Sequence, residues 1–438
     1  MTKSIKLFAT SILTTIFILG CSKDDTTEIP IEIKNATITS YSNDFGYSGE
    51  TISILGTNFS EDKTDVSIAF DDIAVEILSS NTTEIKFKLP KTTNLVPVLK
   101  IQIANTNLTS AYQNDYNGNI AVLPKKIGEW ELTPNAVPWT EGKTLFKTQQ
   151  VNGLRYYFSV KDNGGGGHTY RTLDGGITWE DWASVGFFGT FYVTINDEGW
   201  ADFARINKIP VGGSTLINNT IFINPDTENT INCGLYISED MRTGIAAFSD
   251  KVIYETTDGI NFSEVYNNSS NNNELRSFFA LDENHIWVGG RNNLGNNPVV
   301  LYKNGENSPW QETIIDGNST ESYPFVFDIE FLDASNGFLL LSTNTATGDN
   351  AETVKLYSTI DGGSTWTQKD NSPKFYDIAF KNQNEGWGVS ENKIYKTTDA
   401  GTTWQLSFTH SENLGGINYK DNVVMSLTRG GLLKYFYE

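Results

Sequence analysis

Thr359-Ile360-Asp361-Gly362-Gly363-Ser364-Thr365-Trp366 recurs 38 residues later as Thr397-Thr398-Asp399-Ala400-Gly401-Thr402-Thr403-Trp404. The pattern also stands upstream as Thr172-Leu173-Asp174-Gly175-Gly176-Ile177-Thr178-Trp179, and a copy one residue shorter reads Thr256-Thr257-Asp258-Gly259-Ile260-Asn261-Phe262. An aspartate, a glycine and an aromatic at this spacing describe a tight turn between two strands. The carboxylate accepts backbone N–H bonds, glycine permits the reversal, and the indole packs beneath. Asp174, Asp258, Asp361 and Asp399, with Trp179, Trp366 and Trp404, are therefore expected to be structural.

A second element precedes each turn: a hydrophobic strand, a polar turn, then a small residue and an aromatic. Ile378-Ala379-Phe380 leads to Gly386-Trp387, Ile329-Glu330-Phe331 to Gly337-Phe338, and Tyr192-Val193-Thr194 to Gly199-Trp200. Together the elements make a four-stranded unit, the blade of a propeller. Asp174 and Asp258 lie 84 residues apart, which is two units; Asp258 and Asp361 lie 103 apart, again two, the hidden turn falling at Asn304-Gly305 before Trp310. The C-terminal runs Val423–Leu427 and Leu432–Tyr437 lack an outer Trp-bearing strand. Ile127-Gly128-Glu129-Trp130-Glu131-Leu132 is such a strand without a blade. Joining the two gives a seventh blade and a closed ring over 126–438, at about 45 residues per blade.

The turn pattern (Ser/Thr)-x-Asp-x-Gly-x-Thr-Trp resembles the BNR or Asp-box repeat. The segment as a whole resembles the seven-bladed photosystem II stability and assembly factor-like family and, more distantly, the sialidases. That resemblance implies a fold first, because one fold hosts unrelated functions.

Ahead of the repeat, over 31–124, short alternating runs such as Val66-Ser67-Ile68-Ala69-Phe70 and Leu99-Lys100-Ile101-Gln102-Ile103 describe an antiparallel sandwich. Gly49-Glu50-Thr51-Ile52-Ser53-Ile54-Leu55-Gly56-Thr57-Asn58-Phe59 and the later Ile85 to Pro90 resemble the immunoglobulin-like IPT/TIG family. In its Gly-Thr-Asn-Phe turn the glycine is expected to take positive φ and the Phe to plug the core. IPT/TIG domains commonly space or support another domain. The expected fold class is all-β: an N-terminal immunoglobulin-like (IPT/TIG) sandwich followed by a seven-bladed β-propeller.

Residues 1–20 read as an address. Lys3 and Lys6 precede an apolar run from Leu7 to Gly20, too short to span a bilayer and laid out as a secretory signal. Ile18-Leu19-Gly20-Cys21 resembles the bacterial lipobox, which implies acylation of Cys21 and a permanent lipid anchor. The tether over 21–30 opens with Ser22-Lys23-Asp24-Asp25, similar to a surface-export signal of Gram-negative lipoproteins. The expected location is the outer membrane, facing outward.

Composition excludes several classes of function. Of 438 residues, 53 are acidic and 32 basic, a formal charge of −21, so a nucleic-acid-binding face is not expected. Three scattered histidines and two cysteines suit neither a metal site nor a redox cofactor, and none is expected. The glycine run Asn163 to Gly167 lacks the Lys-Ser/Thr of a phosphate loop. A sialidase wants an arginine triad and an Arg-Ile-Pro motif. Here Lys208-Ile209-Pro210 follows the first box instead, and lysine is a poor substitute for a bidentate guanidinium clamp. The chain is expected to be no enzyme; a glycosidase built on paired carboxylates ranks third among the readings.

Eight of the ten tryptophans are explained by the repeat, leaving Trp139 and Trp182. Both are assigned to connections entering a new blade, on the face opposite the Asp boxes. Arg276, Arg291, Tyr323 and Arg429 are expected to share that face, and the six residues form the candidate binding surface. The expected function is binding of an outer-membrane or surface protein partner as an assembly component. The alternative is glycan binding for a polysaccharide uptake system; exposed indoles beside hydrogen-bonding groups would suit a sugar or a peptide alike.

Overall fold

The computed structural model describes residues 35–438, apart from 105, 109–110, 136, 162–165, 186–189, 203–204, 216–219, 226–231, 250–251, 268–272, 293, 295, 316–323 and 344–352. Cys21, Tyr323 and most of the glycine run at 163–167 lie outside the described residues. Those described hold strands throughout and, as helix, only the 3-10 turn Lys63–Asp65. No helix among them is long and apolar enough to cross a membrane.

The N-terminal module is a sandwich of two four-stranded sheets. One orders Thr37–Tyr41, Thr51–Thr57, Glu84–Lys88 and Ile77–Ser80; the other orders Ile73–Ala74, Val66–Phe70, Leu99–Ile103 and Thr106–Leu108. Alternation turns Ile52, Ile54, Ile68, Phe70, Ile85 and Phe87 into the buried core between them. In the turn after Thr57 it is Asn58, not Gly56, that adopts positive φ, at 58°. Gly56 is required for a different reason: a Cβ there would strike the Phe59 ring, which is buried in the core as expected.

Seven sheets follow. The second to the seventh open with the inner strands Phe191–Val193, Asn232–Ile237, Asn273–Asp282, Pro324–Phe331, Asp377–Phe380 and Gly415–Lys420, and the first with Thr144–Gln150. Each inner strand contacts the next, and the seventh contacts the first, so the ring is closed. The strand Trp130–Pro134 supplies the outer edge of the seventh sheet, pairing antiparallel with Gly431–Phe436 from Trp130↔Tyr435 to Pro134↔Gly431. The first blade carries a fifth strand, Ser214–Thr215, which comes from the second blade and pairs parallel with Ala183 and Ser184. That strap covers an outer edge which would otherwise be open.

The small residue before each second-strand aromatic has a steric origin. At Gly337 and Gly386 an added Cβ would meet the rings of Phe331 and Phe380 respectively, aromatics that end the first strands of the same blades. Those rings stack on the blade next door: Phe331 on Trp287 at 3.5 Å and Phe380 on Phe338 at 3.6 Å. Trp200, Trp287 and Trp387 are all fully buried between blades.

Candidate functional site

The Asp boxes close the ends of the third strands, and all lie on one face of the ring. In the fifth blade Asp361 Oδ1 accepts from the Thr359 hydroxyl at 2.8 Å and the Thr365 N–H at 2.9 Å, while Trp366 donates to the Gly363 carbonyl at 3.1 Å. The sixth blade repeats this with Asp399, Thr397, Thr403 and Trp404. Bonds from the Thr403 hydroxyl and N–H hold the Asp399 carboxyl below its ordinary range. These carboxylates are saturated by their own turns, which is the arrangement of a structural aspartate.

The opposite face carries the beginnings of the inner strands and the connections between second and third strands. Trp139, in the connection from the closing strand to the first blade, is only 8% exposed. Its indole donates to the Lys143 carbonyl at 3.1 Å, and the guanidinium of Arg429, itself exposed, lies 5.5 Å from the ring centroid. Of the six residues expected to share this face, these two do meet, but as an arginine lid over an indole rather than an open aromatic platform.

Trp182 corrects the expectation outright. It lies not in a connection but on the fourth strand of the first blade, Glu180–Val185, and is 0% exposed. Tyr157 packs edge-on at 5.5 Å and Phe191 of the second blade lies 6.5 Å away, so no ligand reaches it.

Arg276 and Arg291 come together on the fourth blade. Both guanidinium groups bond Glu274, which stands between them, and Arg276 is exposed with its guanidinium 5.2 Å from the Phe325 ring of the fifth blade. Two arginines thus share the Glu274 carboxylate. The face therefore presents two arginine–aromatic pairs, Arg429–Trp139 and Arg276–Phe325, each worth about 0.5–1 kcal/mol when exposed.

The axial channel between them holds residues that the sequence reading did not single out. Asp328 and Glu330 project from the fifth inner strand and Asp377 from the sixth. Asp377 accepts from the Ile417 N–H of the seventh blade at 2.6 Å, and Glu330 accepts from the Phe380 N–H of the sixth at 3.1 Å. Burial, with each carboxyl near another, pushes Glu330 and Asp377 well above the ordinary range, and burial raises Asp328 to about 6. Lys147 of the first inner strand lies 5.9 Å from the Phe191 ring, and burial holds its amine down to about 8. The legible signal was a polar residue interrupting an apolar inner strand, as in Phe327-Asp328-Ile329-Glu330-Phe331.

These carboxyls serve as clamps. An inner strand has no neighbour on its axial side, so its backbone groups need partners from elsewhere. Gln149, Glu330 and Asp377 each reach the inner strand of the following blade, and the Ser277 hydroxyl donates to the Val326 carbonyl at 3.1 Å in the same manner. Among the described residues no group of three or more His, Cys, Asp or Glu side chains has the arrangement to hold a metal ion.

Comparison with known proteins agrees with this architecture. Residues 36–119 match the family model of the IPT/TIG domain. No curated protein sequence matches the chain. Among solved structures, YCF48 from Cyanidioschyzon merolae is 17% identical, covers 70% of this chain and 98% of its own, and superposes with a TM-score of 0.47. A structure of YCF48 bound to D1 peptide is 16% identical over 72% of this chain and 99% of its own, with a TM-score of 0.50. The WD40 propeller domain of Doa1 is 12% identical over 71% and 98%, with a TM-score of 0.49. At such identities the likeness concerns the fold alone: an all-β chain with an immunoglobulin-like module and a propeller.

Proposed function

We propose that this chain is a non-catalytic, lipid-anchored outer-membrane protein whose propeller binds a protein partner on the face opposite the Asp boxes, as an assembly component. The observation that carries the reading is the division of labour between the two faces. The Asp-box face is occupied by saturated turns and, at the first and seventh blades, by the immunoglobulin-like module. The other face offers exposed arginines held over aromatic rings, the residue types that dominate binding hot spots. YCF48, whose structure includes a bound D1 peptide, gives a precedent for a propeller of this general form engaging a peptide. The clamp bonds of the channel carboxyls favour a structural over a catalytic use of those acids. Burial of Trp139 and Trp182 leaves the arginines, rather than open indoles, as the contact groups of this face.

The test is performed in cells. Replacing Cys21 by Ser should abolish lipid labelling and membrane retention, and protease added to intact cells should digest the propeller of the unaltered protein. Affinity capture from solubilised membranes should then recover a protein partner, and the Arg429→Ala, Arg276→Ala double variant should lose it. A Cys21→Ser protein still labelled and still in the membrane fraction contradicts the anchor. Capture unaffected by the double variant contradicts the assigned face.

A further inference from the structure

The first Asp box differs from the others in a way that its turn does not explain. Asp258, Asp361 and Asp399 are exposed, whereas Asp174 is 3% exposed. Its Oδ1 accepts from the Thr172 hydroxyl and the Ile177 and Thr178 N–H groups, the bonds that its own turn provides. Its Oδ2 takes, beyond the Thr178 hydroxyl, a further bond at 2.9 Å from the hydroxyl of Tyr116, which belongs to the immunoglobulin-like module. The tip of this box is also apolar and covered. Ile177 is 5% exposed in a cluster containing Tyr47, Tyr116, Ala121 and Leu123 of the module, whereas Ile260 in the third-blade box is 67% exposed.

A second contact fixes the same junction from the module's short strand Phe45–Tyr47. Tyr47 donates its hydroxyl to the Gly153 carbonyl of the first blade at 2.7 Å and packs edge-on against Phe436 of the seventh at 4.9 Å. The Nζ of Lys434, fully buried, lies 5.0 Å from the Tyr47 ring and donates to the Gly175 carbonyl of the box at 2.6 Å. Between the module's last strand, Ala121–Leu123, and the bridge of Ile127 to Phe436 only Pro124, Lys125 and Lys126 intervene. So short a connection, opened by proline, leaves little slack.

We infer that the first Asp box is the receptor of an interdomain lock: Asp174 captures Tyr116, Gly153 captures Tyr47, and the immunoglobulin-like module and the propeller move as one rigid body rather than as a tethered spacer and its load. A repeat element that elsewhere only closes a turn has here acquired an interface. The lock joins the turn at Tyr116 and the strand Phe45–Tyr47 of the module to the first and seventh blades, which suppresses both hinge and twist. The consequence is directional, because the module is held on the Asp-box side of the ring.

The test uses the full chain in solution and does not depend on any binding partner. Backbone 15N relaxation should give amides of the module, such as those of 51–57 and 84–88, the same rotational correlation time as amides of the blades. Tyr116→Phe removes one hydroxyl and keeps the ring, so the fold should stand. Hydrogen exchange at Ile177 and Thr178 should then quicken about fivefold, the loss of one hydrogen bond, while Thr365 of the exposed fifth-blade box stays unchanged as a control. A module that tumbles with a distinctly shorter correlation time overturns the lock. Unchanged exchange at Ile177 and Thr178 in a folded Tyr116→Phe chain overturns the assignment of Asp174 as its receptor.

Discussion

Gln149 of the first blade holds Val193 of the second by both of its backbone groups. The amide Nε2 donates to the Val193 carbonyl at 2.8 Å, and Oε1 accepts the Val193 N–H at 3.0 Å. One side chain thus substitutes for the strand neighbour that an innermost strand lacks. The same substitution recurs at Ser277, Glu330 and Asp377, so the ring is closed along its axis by side chains as well as by the packing of blade faces.

Gln149→Ala should leave two backbone groups of Val193 without their partner and lower stability by about 2 kcal/mol. Gln149→Glu keeps an acceptor for the N–H and loses the donor, so it should fall between Ala and the unaltered protein. Denaturant unfolding of the three proteins checks the order.

Asp328 makes stability depend on acidity. Its carboxyl is raised from an ordinary 3.8 to about 6 by burial, so the folded chain holds this proton more tightly than the unfolded one. Stability contributed by that proton is present below the ordinary value and is lost as pH rises through about 6. Asp328→Asn removes this residue's share of the dependence, while Glu330 and Asp377, raised in the same direction, keep theirs. The variant should melt higher than the unaltered protein at pH 7.5 and lose that advantage as the pH is lowered toward 4, measured by melting temperature across the range.

Lys434 gives the opposite slope. Burial depresses its amine from 10.5 to about 7, with the charge of Asp174 opposing that fall. Between those values the unfolded chain binds a proton that the folded chain does not, so stability climbs with pH across the window and is flat below it. Lys434→Met should cancel the climb between pH 7 and 10, and the difference between the two melting curves isolates this residue from other titrating groups.

Ring closure is open to a comparison of two shortened chains, both lacking the module. A chain starting at 126 keeps Trp130, whose indole donates to Ser407 at 2.9 Å and packs on Tyr435 at 5.3 Å; one starting at 140 loses it together with the outer strand. The second should be less stable by about 3 kcal/mol or more. Equal melting temperatures would mean that the strand does not close the ring.

The ring was legible because its signals are local. The box at Asp361, the Gly386-Trp387 pair and the orphan strand around Trp130 each carry their geometry within a few residues, and spacing alone counts the blades. Burial of single side chains was not. Trp182 looks like a loop residue until Phe191 of the next blade is placed against it, and Trp139 looks open until Arg429 is brought over its ring from a turn 290 residues away. The docking of Tyr116 on Asp174 joins two domains whose sequences show nothing of each other. The channel acids were hidden for a related reason: Glu330 and Phe380 meet only once the blades are circled.

The central claim is that binding lies on the arginine-bearing face and structure on the Asp-box face. The most direct measurement is the affinity of the purified chain for its captured partner, in two sets of variants. Arg429→Ala and Arg276→Ala should each weaken binding by roughly tenfold or more while melting temperatures barely move. Asp361→Ala and Asp399→Ala should lower melting temperature and leave the affinity of the folded fraction unchanged. Asp-box variants that lose binding without losing stability, alongside arginine variants that bind normally, would contradict the account and put the partner on the other face.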